Sequence, residues 1–374
     1  MSICGRGHGR CYDAGVNDRD RDGRRCRAHR GAPRRATTVL LLIALSALSA
    51  ALSGCGWDRR RGRLPASLPD QEFWRLSTTF AEPAGLFAYP DSLISNELYF
   101  VHAARMLSPA GGVYIGVGPE QNFSYIARLR PAMAFIVDIR HENRSLHLMY
   151  KALFELATDR ADYVSRLFSR RPADVGPGMD VGQLFTRLGA ATPDPRLLDG
   201  QMRQIRERLT ITRRFPLTAE DLSGIEAALR TFYTEGPGID YGRSLPDGST
   251  DPSYQELMTA VDVSGQYQSY LGSEESFTVL KELHTRNLIL PIVGDFGGAR
   301  ALRSVSDYVR QHSARISAFY ASNVEVYLNR RQTEAFCRSL ADLPHDSGTR
   351  FIGSRSLRPF RTKLAGCPTG EPPS

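Results

Sequence analysis

A strand, a glycine-rich turn, a helix and a second strand follow one another within residues 112–138. Residues 112–116 are rich in β-branched and aromatic side chains, residues 123–129 have a helical pattern, and the apolar run 134–137 ends in Asp138. Two parallel strands need a crossover connection, which is usually a helix. This pattern therefore predicts a βαβ unit and places the chain in the α/β class.

The same alternation of strand and helix patterns recurs late in the chain. Three further runs predict strands: residues 287–293, 315–320 and 349–352. Residues 142–286 between the two regions have a helical pattern, and Thr218 with Asp221 is typical of a capping box at a helix start. We expect a doubly wound, mostly parallel, Rossmann-like sheet with a large helical insertion after its second strand.

The N-terminal region has the plan of an export signal. Arg34-Arg35 precede an apolar run from Val39 to Leu52, which is closed by Ser53, Gly54 and Cys55. Residues 52–55 resemble the bacterial lipobox, which implies that Cys55 carries acyl chains and anchors the protein in a membrane. An uncleaved N-terminal helix or a buried core helix is the alternative. The export route is either the Sec or the twin-arginine pathway. Gly56 directly after Cys55 favours anchoring in the outer membrane over the inner membrane.

The organisation that follows has four parts. We expect a leader over 1–54, a tether over 55–70, an α/β domain over 71–355 and a Pro-rich tail over 356–374. Apolar residues make up 41% of the chain and charged residues 24%, which is the balance of a globular protein. No apolar run reaches the length that a polytopic membrane protein needs.

Charge and cysteine content refine this expectation. The ten Arg and four Asp of residues 1–54 account for most of the formal charge of +8, so the rest of the chain is nearly neutral and no nucleic-acid partner is expected. Once the leader is removed and Cys55 is acylated, Cys337 and Cys367 remain. In an oxidising compartment they form a disulfide candidate. The alternative is a buried thiol at Cys337 and an exposed thiol at Cys367.

The turn after the first strand is the best candidate for a binding site. Gly116 and Gly118 allow a tight turn, and Glu120 and Asn122 lie where the next helix begins. Asp138 ends the second strand, where a nucleotide-binding sheet holds a ribose with a carboxylate. Alternatively, the glycines only turn the corner and Asp138 caps the next helix.

Polar residues at other strand ends extend this candidate site. Asp295 follows the third strand, Ser322 and Asn323 follow the fourth, and Asn96 and Glu97 precede the first. Because ligands of open α/β sheets bind beyond the carboxyl ends of the strands, we expect these residues to form one polar pocket. Taken singly, each is also explained as a cap, a turn residue or a solvated acid. Neither CxxC nor HExxH occurs and no two His lie four apart, so no metal is expected.

Two segments, residues 112–122 and 135–140, resemble motif I and the acidic loop of class I S-adenosylmethionine-dependent methyltransferases. More widely, an uncharacterised bacterial methyltransferase-like family is similar over most of residues 71–353, through four stretches: residues 93–97, 137–140, 293–296 and 319–325. The resemblance implies a methyltransferase-like fold, with S-adenosylmethionine held by Gly116 and Gly118 and its ribose by Asp138. Asp295 and Glu97 are then the candidates for contact with a methyl acceptor.

The export signal and this resemblance point to different compartments, because S-adenosylmethionine is a cytoplasmic metabolite. We expect a lipid-anchored envelope protein whose methyltransferase-like domain binds a nucleoside-type or small polar ligand, with methyl transfer as a further expectation. The alternative is a non-catalytic envelope scaffold that retains the fold without the cofactor. A third reading places the protein in the cytoplasm with a misassigned leader. The substrate, the protein partners and the oligomeric state stay open.

Overall fold

The computed structural model describes residues 62–87, 92–240 and 251–368. Its six-stranded sheet has the order β3-β2-β1-β4-β5-β6. The strands are β1 (Val113–Gly116), β2 (Met133–Asp138), β3 (Ile289–Val293), β4 (Ile316–Ser322), β5 (Arg350–Gly353) and β6 (Ser356–Pro359). Strands β1 to β5 pair in parallel, and β6 runs antiparallel to β5. The predicted α/β class with a mostly parallel sheet is confirmed.

Thirteen α-helices accompany the sheet in the described chain. They are α1 (Asp70–Thr79), α2 (Phe100–Arg105), α3 (Gln121–Leu129), α4 (His141–Leu156), α5 (Arg160–Phe168), α6 (Val181–Ala190), α7 (Pro195–Glu207), α8 (Ala219–Glu235), α9 (Tyr254–Thr259), α10 (Glu274–Thr285), α11 (Ala301–Gln311), α12 (Arg330–Asp342) and α13 (Phe360–Ala365). A π-helical turn at Arg208–Thr212 and two 3-10 turns at Gly236–Gly238 and Val324–Tyr327 complete the elements.

The strands are apolar because both faces of the sheet are covered. Every residue of β1, β2 and β3 is buried, as is usual for a parallel sheet that lies between helices. In the register, Ile136 pairs with Gly116 and Asp138 with Val293. The carboxyl ends of β1, β2, β3 and β4 therefore lie along the same edge of the sheet.

Local sequence signals explain several helix starts. The Thr218 hydroxyl accepts a hydrogen bond from the Asp221 amide, and the Asp221 carboxylate accepts one from the Thr218 amide, which completes the predicted capping box of α8. Ser273 caps α10, and Glu274 and Glu275 place negative charge in its first turn. Between Asp138 and Ile289 the described chain forms helices, turns and loops, with only isolated β-bridges.

Helices α4, α5 and α10 share an aromatic core. Phe154 stacks on Phe277 with ring centroids 5.4 Å apart, and its ring centroid is 4.5 Å from that of Tyr163. Three tyrosine hydroxyls meet in the same core: Tyr270 is 2.5 Å from Tyr254 and 3.4 Å from Tyr163. This aromatic cluster is part of the hydrophobic core that also contains the strands, and Phe123 of α3 contacts Phe154 at 5.4 Å.

The prediction of a Pro-rich tail from residue 356 is wrong for its first part, because residues 356–365 form β6 and α13. Phe360 is fully buried against the His345 ring, 5.1 Å away. A disulfide joins Cys337 in α12 to Cys367, with the two Cα atoms 5.7 Å apart. The folded region therefore extends to the second cysteine.

The expected tether also ends earlier than predicted. Leu68 is buried, and its amide donates to the Arg286 carbonyl. The apolar run 39–52 and the lipobox ending in Cys55 lie outside the described residues. No helix of the described chain is long and apolar enough to cross a membrane.

Candidate functional site

A cavity of about 320 Å³ opens at the carboxyl edge of the sheet. Its wall combines the turn after β1, the ends of β2 and β4, the loop after β3 and the segments 86–87 and 95–97. Most of the predicted site residues line this cavity: Asn96, Glu97, Gly118, Asp138, Asp295, Ser322 and Asn323. The structure thus brings together side chains that are far apart in the sequence. Gly116, Glu120 and Asn122 are not part of the lining.

Asn122 organises the glycine-rich turn from within. Its amide nitrogen donates to the carbonyls of Val117 at 2.9 Å and Pro119 at 2.7 Å, and its oxygen accepts from the Tyr114 hydroxyl at 2.9 Å. A Cβ atom on Gly116 would lie 1.9 Å from that oxygen. Gly116 therefore makes room for Asn122, whose side chain is bonded within the turn, and neither residue lines the cavity.

Gly118 has a left-handed backbone with φ of 78°, which favours glycine. Its amide donates to Asp138 Oδ2 at 3.1 Å, and its carbonyl lies 2.9 Å from His147 Nε2. Burial lowers the pKa of His147 to about 4, so the ring is neutral at pH 7 and Nε2–H donates to the carbonyl. No pattern in the sequence indicated that His147, on α4, supports this turn.

Asp138 forms a buried ion pair with Arg140, and the two side chains are 7% and 6% exposed. Oδ1 accepts from the Arg140 amide at 2.9 Å and from Nε at 3.0 Å. Oδ2 accepts from Arg140 Nη2 at 3.0 Å and from the Gly118 amide at 3.1 Å. A carboxylate has about four acceptor positions, so the protein itself occupies all of them. Asp138 has no acceptor position left for a ribose hydroxyl.

Glu120 lies behind the cavity wall and is fully buried. Its oxygens accept from the Ser95 amide at 3.0 and 3.2 Å. Burial raises the pKa of Glu120 to about 7, against the effect of these hydrogen bonds. Glu120 therefore holds the segment that carries Ser95, Asn96 and Glu97 against the turn, which is a positioning role that the sequence did not indicate.

Glu97 projects between two hydroxyl groups at the end of β4. The Tyr320 hydroxyl donates to Oε2 at 2.9 Å, and the Ser322 hydroxyl donates to Oε1. Burial raises the pKa of Glu97, and the two hydrogen bonds oppose that rise. Ser322 has a φ of 50°, which is uncommon for a residue other than glycine and directs its side chain at the strand end.

Asp295 is engaged by the loop that follows β3. Oδ1 accepts from the Gly297 amide at 2.8 Å, and Oδ2 accepts from Gln332 Nε2 at 3.1 Å. The Asp295 amide donates to Glu82 Oε2 at 3.1 Å, and the Arg300 amide donates to Oε1 of the same carboxylate. Asp295 therefore shapes this loop while it lines the cavity, and it is not the N-cap of α11, which is Arg300.

Sequence reasoning missed the segment of residues 80–87 that crosses the sheet edge. The Glu82 amide donates to the Val293 carbonyl at 2.9 Å, and the Gly85 amide donates to the Ile139 carbonyl at 3.0 Å. The segment thereby passes over the ends of β3 and β2. Beyond Gly85, Leu86 and Phe87 line the cavity, and no pattern in the sequence pointed to them.

Further lining residues were also missed: Ser95, Arg140, Asp251, Phe296, Tyr320, Tyr327 and Gln332. Arg140 was within reach, because a basic residue two positions after a strand-end acid is placed to pair with it. Among the described residues no group of three or more His, Cys, Asp and Glu side chains is arranged to hold a metal ion.

Comparison with protein-family models gives a match. A family model described as a domain of unknown function (DUF7790) matches residues 92–175 and 249–362. The matched ranges include all six strands and every lining residue except Leu86 and Phe87. They omit residues 176–248, which contain α6, α7 and α8. No curated protein matches the chain.

Proposed function

The chain belongs to the DUF7790 family, and we propose that it binds a small polar ligand in the cavity at the carboxyl edge of its sheet. One observation carries this proposal: strand ends that are distant in sequence contribute polar side chains to the same cavity. Open α/β sheets bind ligands at this edge. A volume of about 320 Å³ is at the lower end of the range for ligand sites, which supports a small ligand.

We also propose that the sheet is Rossmann-like, with a helical insertion after its second strand. The strand order β3-β2-β1-β4-β5-β6 supports this relation, since it is the order of the doubly wound nucleotide-binding fold. Helices α4 to α10, between β2 and β3, support the insertion.

S-adenosylmethionine supplies a transferable methyl group when it is bound, but the residues of this chain do not fit it. Asp138, the candidate for its ribose, is saturated by Arg140 and Gly118. Gly116 and Asn122 are packed against each other behind the cavity. We therefore derive no methyl-transfer step. The saturation of Asp138 favours the second candidate function, a non-catalytic envelope protein that retains the fold and binds a different ligand.

Ligand binding is tested by a thermal-shift screen on the full-length chain, followed by calorimetry. The screen contains nucleosides, amino acids, amines, S-adenosylmethionine and S-adenosylhomocysteine. We expect at least one class of small polar compound to raise the melting temperature by several degrees, since a ligand at a hundred times its Kd stabilises by about 2.7 kcal/mol. Asn323→Trp, which fills the cavity from an exposed position, should abolish the shift.

Ser347→Trp is the matched control, because Ser347 is exposed and does not line the cavity. It should leave the shift unchanged. A screen without any stabilising compound, or a shift that persists in Asn323→Trp, would show that this cavity is not a binding site.

We propose further that acyl chains on Cys55 anchor the protein in the bacterial cell envelope, with the membrane as its partner. The apolar run 39–52 and the lipobox support this proposal. Cells fed an alkyne-bearing fatty acid should label the wild-type chain and Cys26→Ser, and Cys55→Ser should stay unlabelled and leave the membrane fraction. Label on Cys55→Ser, or none on the wild type, would contradict it.

A further inference from the structure

The cavity combines carboxylates with aromatic side chains. Four aromatic residues line it: Phe87, Phe296, Tyr320 and Tyr327. Glu97 and Asp295 line the same space. The face of an aromatic ring carries negative charge density and attracts cations, and most strongly those that are desolvated. Both kinds of group therefore favour a positively charged ligand.

The two carboxylates have no cationic partner in the described part of the chain. Glu97 accepts from the hydroxyls of Tyr320 and Ser322. Asp295 accepts from a backbone amide and from the side-chain amide of Gln332. Among the described lining residues Arg140 is the one basic side chain; it pairs with Asp138, and its guanidinium lies over the Phe87 ring, 5.5 Å from the centroid. A partly buried carboxylate without a counter-charge costs free energy that a cationic ligand recovers.

Ser95 adds a hydroxyl group to the cavity wall. It lines the cavity and is 5% exposed, and its hydroxyl has no hydrogen-bond partner among the described residues. The Ser95 hydroxyl is therefore available to a polar group of the bound molecule.

The aromatic residues of the cavity differ in their solvent exposure. Phe296 and Tyr320 are each 2% exposed, whereas Tyr327 is 45% exposed. The rings of Phe87 and Tyr327 meet edge to face, with centroids 5.1 Å apart. The aromatic lining thus extends from the buried part of the cavity to its exposed part.

We propose that the cavity binds a small alkylated cation, a quaternary ammonium or a sulfonium compound. Its charge lies against Glu97 and Asp295, its alkyl groups against the aromatic rings, and a hydroxyl or carboxylate of the ligand bonds Ser95. Alkylated cations fit better than primary amines, because they are weakly hydrated and have no N–H groups to satisfy. This inference rests on the proposed function, since it names the ligand class of the same cavity.

Calorimetric titration of the full-length chain tests the charge directly. The probes are choline, the sulfonium S-methylmethionine, and 3,3-dimethylbutan-1-ol, the uncharged isostere of choline. We expect at least one of the two cations to bind, and the neutral isostere to bind at least tenfold more weakly. A tenfold preference between choline and S-methylmethionine supports the proposal and assigns the type of cation.

Variants locate the binding. Glu97→Gln should weaken binding of the cation about tenfold and leave binding of the neutral isostere unchanged. Tyr327→Leu should weaken binding of the cation severalfold. Glu334→Gln is the matched control, because this acid on α12 pairs with Arg330 at the surface and does not line the cavity. It should change nothing. Tyr327 is exposed, so its variant reports on binding even if Glu97→Gln folds poorly.

Equal affinity for choline and its isostere would overturn the inference, and so would unchanged cation binding in both Glu97→Gln and Tyr327→Leu. If neither cation binds at 10 mM while an uncharged compound from the wider screen does, the cation proposal fails and the proposed function stands. If no compound of any class binds, both fail.

Discussion

Arg140→Met should lower the free energy of unfolding by about 3–5 kcal/mol, because it leaves the Asp138 carboxylate buried without its counter-charge. The pair is 7% and 6% exposed, and Arg140 supplies three of the four hydrogen bonds that Asp138 accepts. One of these three comes from the backbone amide and stays in the variant. Urea denaturation at pH 7 measures the difference.

Two controls separate the buried charge from a general effect of losing an arginine. Asp138→Asn in the Arg140→Met background removes the unpaired charge and should recover part of the loss. Arg75→Met breaks a pair with Glu72 whose side chains are 52% and 35% exposed, and it should cost less than about 1 kcal/mol. A loss below about 1 kcal/mol for Arg140→Met would mean that the pair is open in solution, which would return Asp138 to the candidates for ribose binding.

Replacing either of two buried titratable residues behind the cavity should reveal opposite dependences of stability on pH. Burial depresses the pKa of His147 to about 4 from its ordinary 6.5. The stability it contributes is complete above pH 6.5 and is lost as the pH falls through 4. Burial raises the pKa of Glu120 from 4.5 to about 7. Its contribution is complete below pH 4.5 and is lost as the pH rises through 7.

Each shift corresponds to about 3 kcal/mol, and the two contributions oppose each other between pH 4.5 and 6.5. As the pH rises from 4.5 to 8, the unfolding free energy of Glu120→Gln minus that of the wild type should increase by about 3 kcal/mol. As the pH falls from 7 to 4, the same difference for His147→Gln should increase by about as much. Urea unfolding in half-unit pH steps measures both. Difference curves with the same sign of slope for the two variants would contradict these assignments.

The sequence was sufficient for the five parallel strands because buried strands read as continuous apolar runs. Ile289–Val293 and Met133–Asp138 are buried at every position, so periodicity located them to within two residues. Ser356–Pro359 has no such signal, since its residues are only partly buried or exposed. This strand exists because β5 offers it an unpaired edge. That is a tertiary property, and local sequence does not record it.

The sequence predicted where the candidate site residues lie in the sheet, but it did not predict the directions of their side chains. The rule that strand ends share one edge brought Asp295 and Ser322 together in advance. It could not reveal that the Asp138 carboxylate faces Arg140, or that Gly116 accommodates Asn122, since both depend on how side chains pack. A glycine that makes room for a neighbouring side chain looks the same in sequence as one that makes room for a ligand.

Residues 68–82 run along β3 from one edge of the sheet to the other. The Leu68 amide bonds the Arg286 carbonyl ahead of the start of β3, and after α1 the Glu82 amide bonds the Val293 carbonyl at the other end of that strand. Helix α1 thus carries the chain from the amino edge to the carboxyl edge, where the cavity opens. The chain therefore enters the sheet at the edge opposite the cavity.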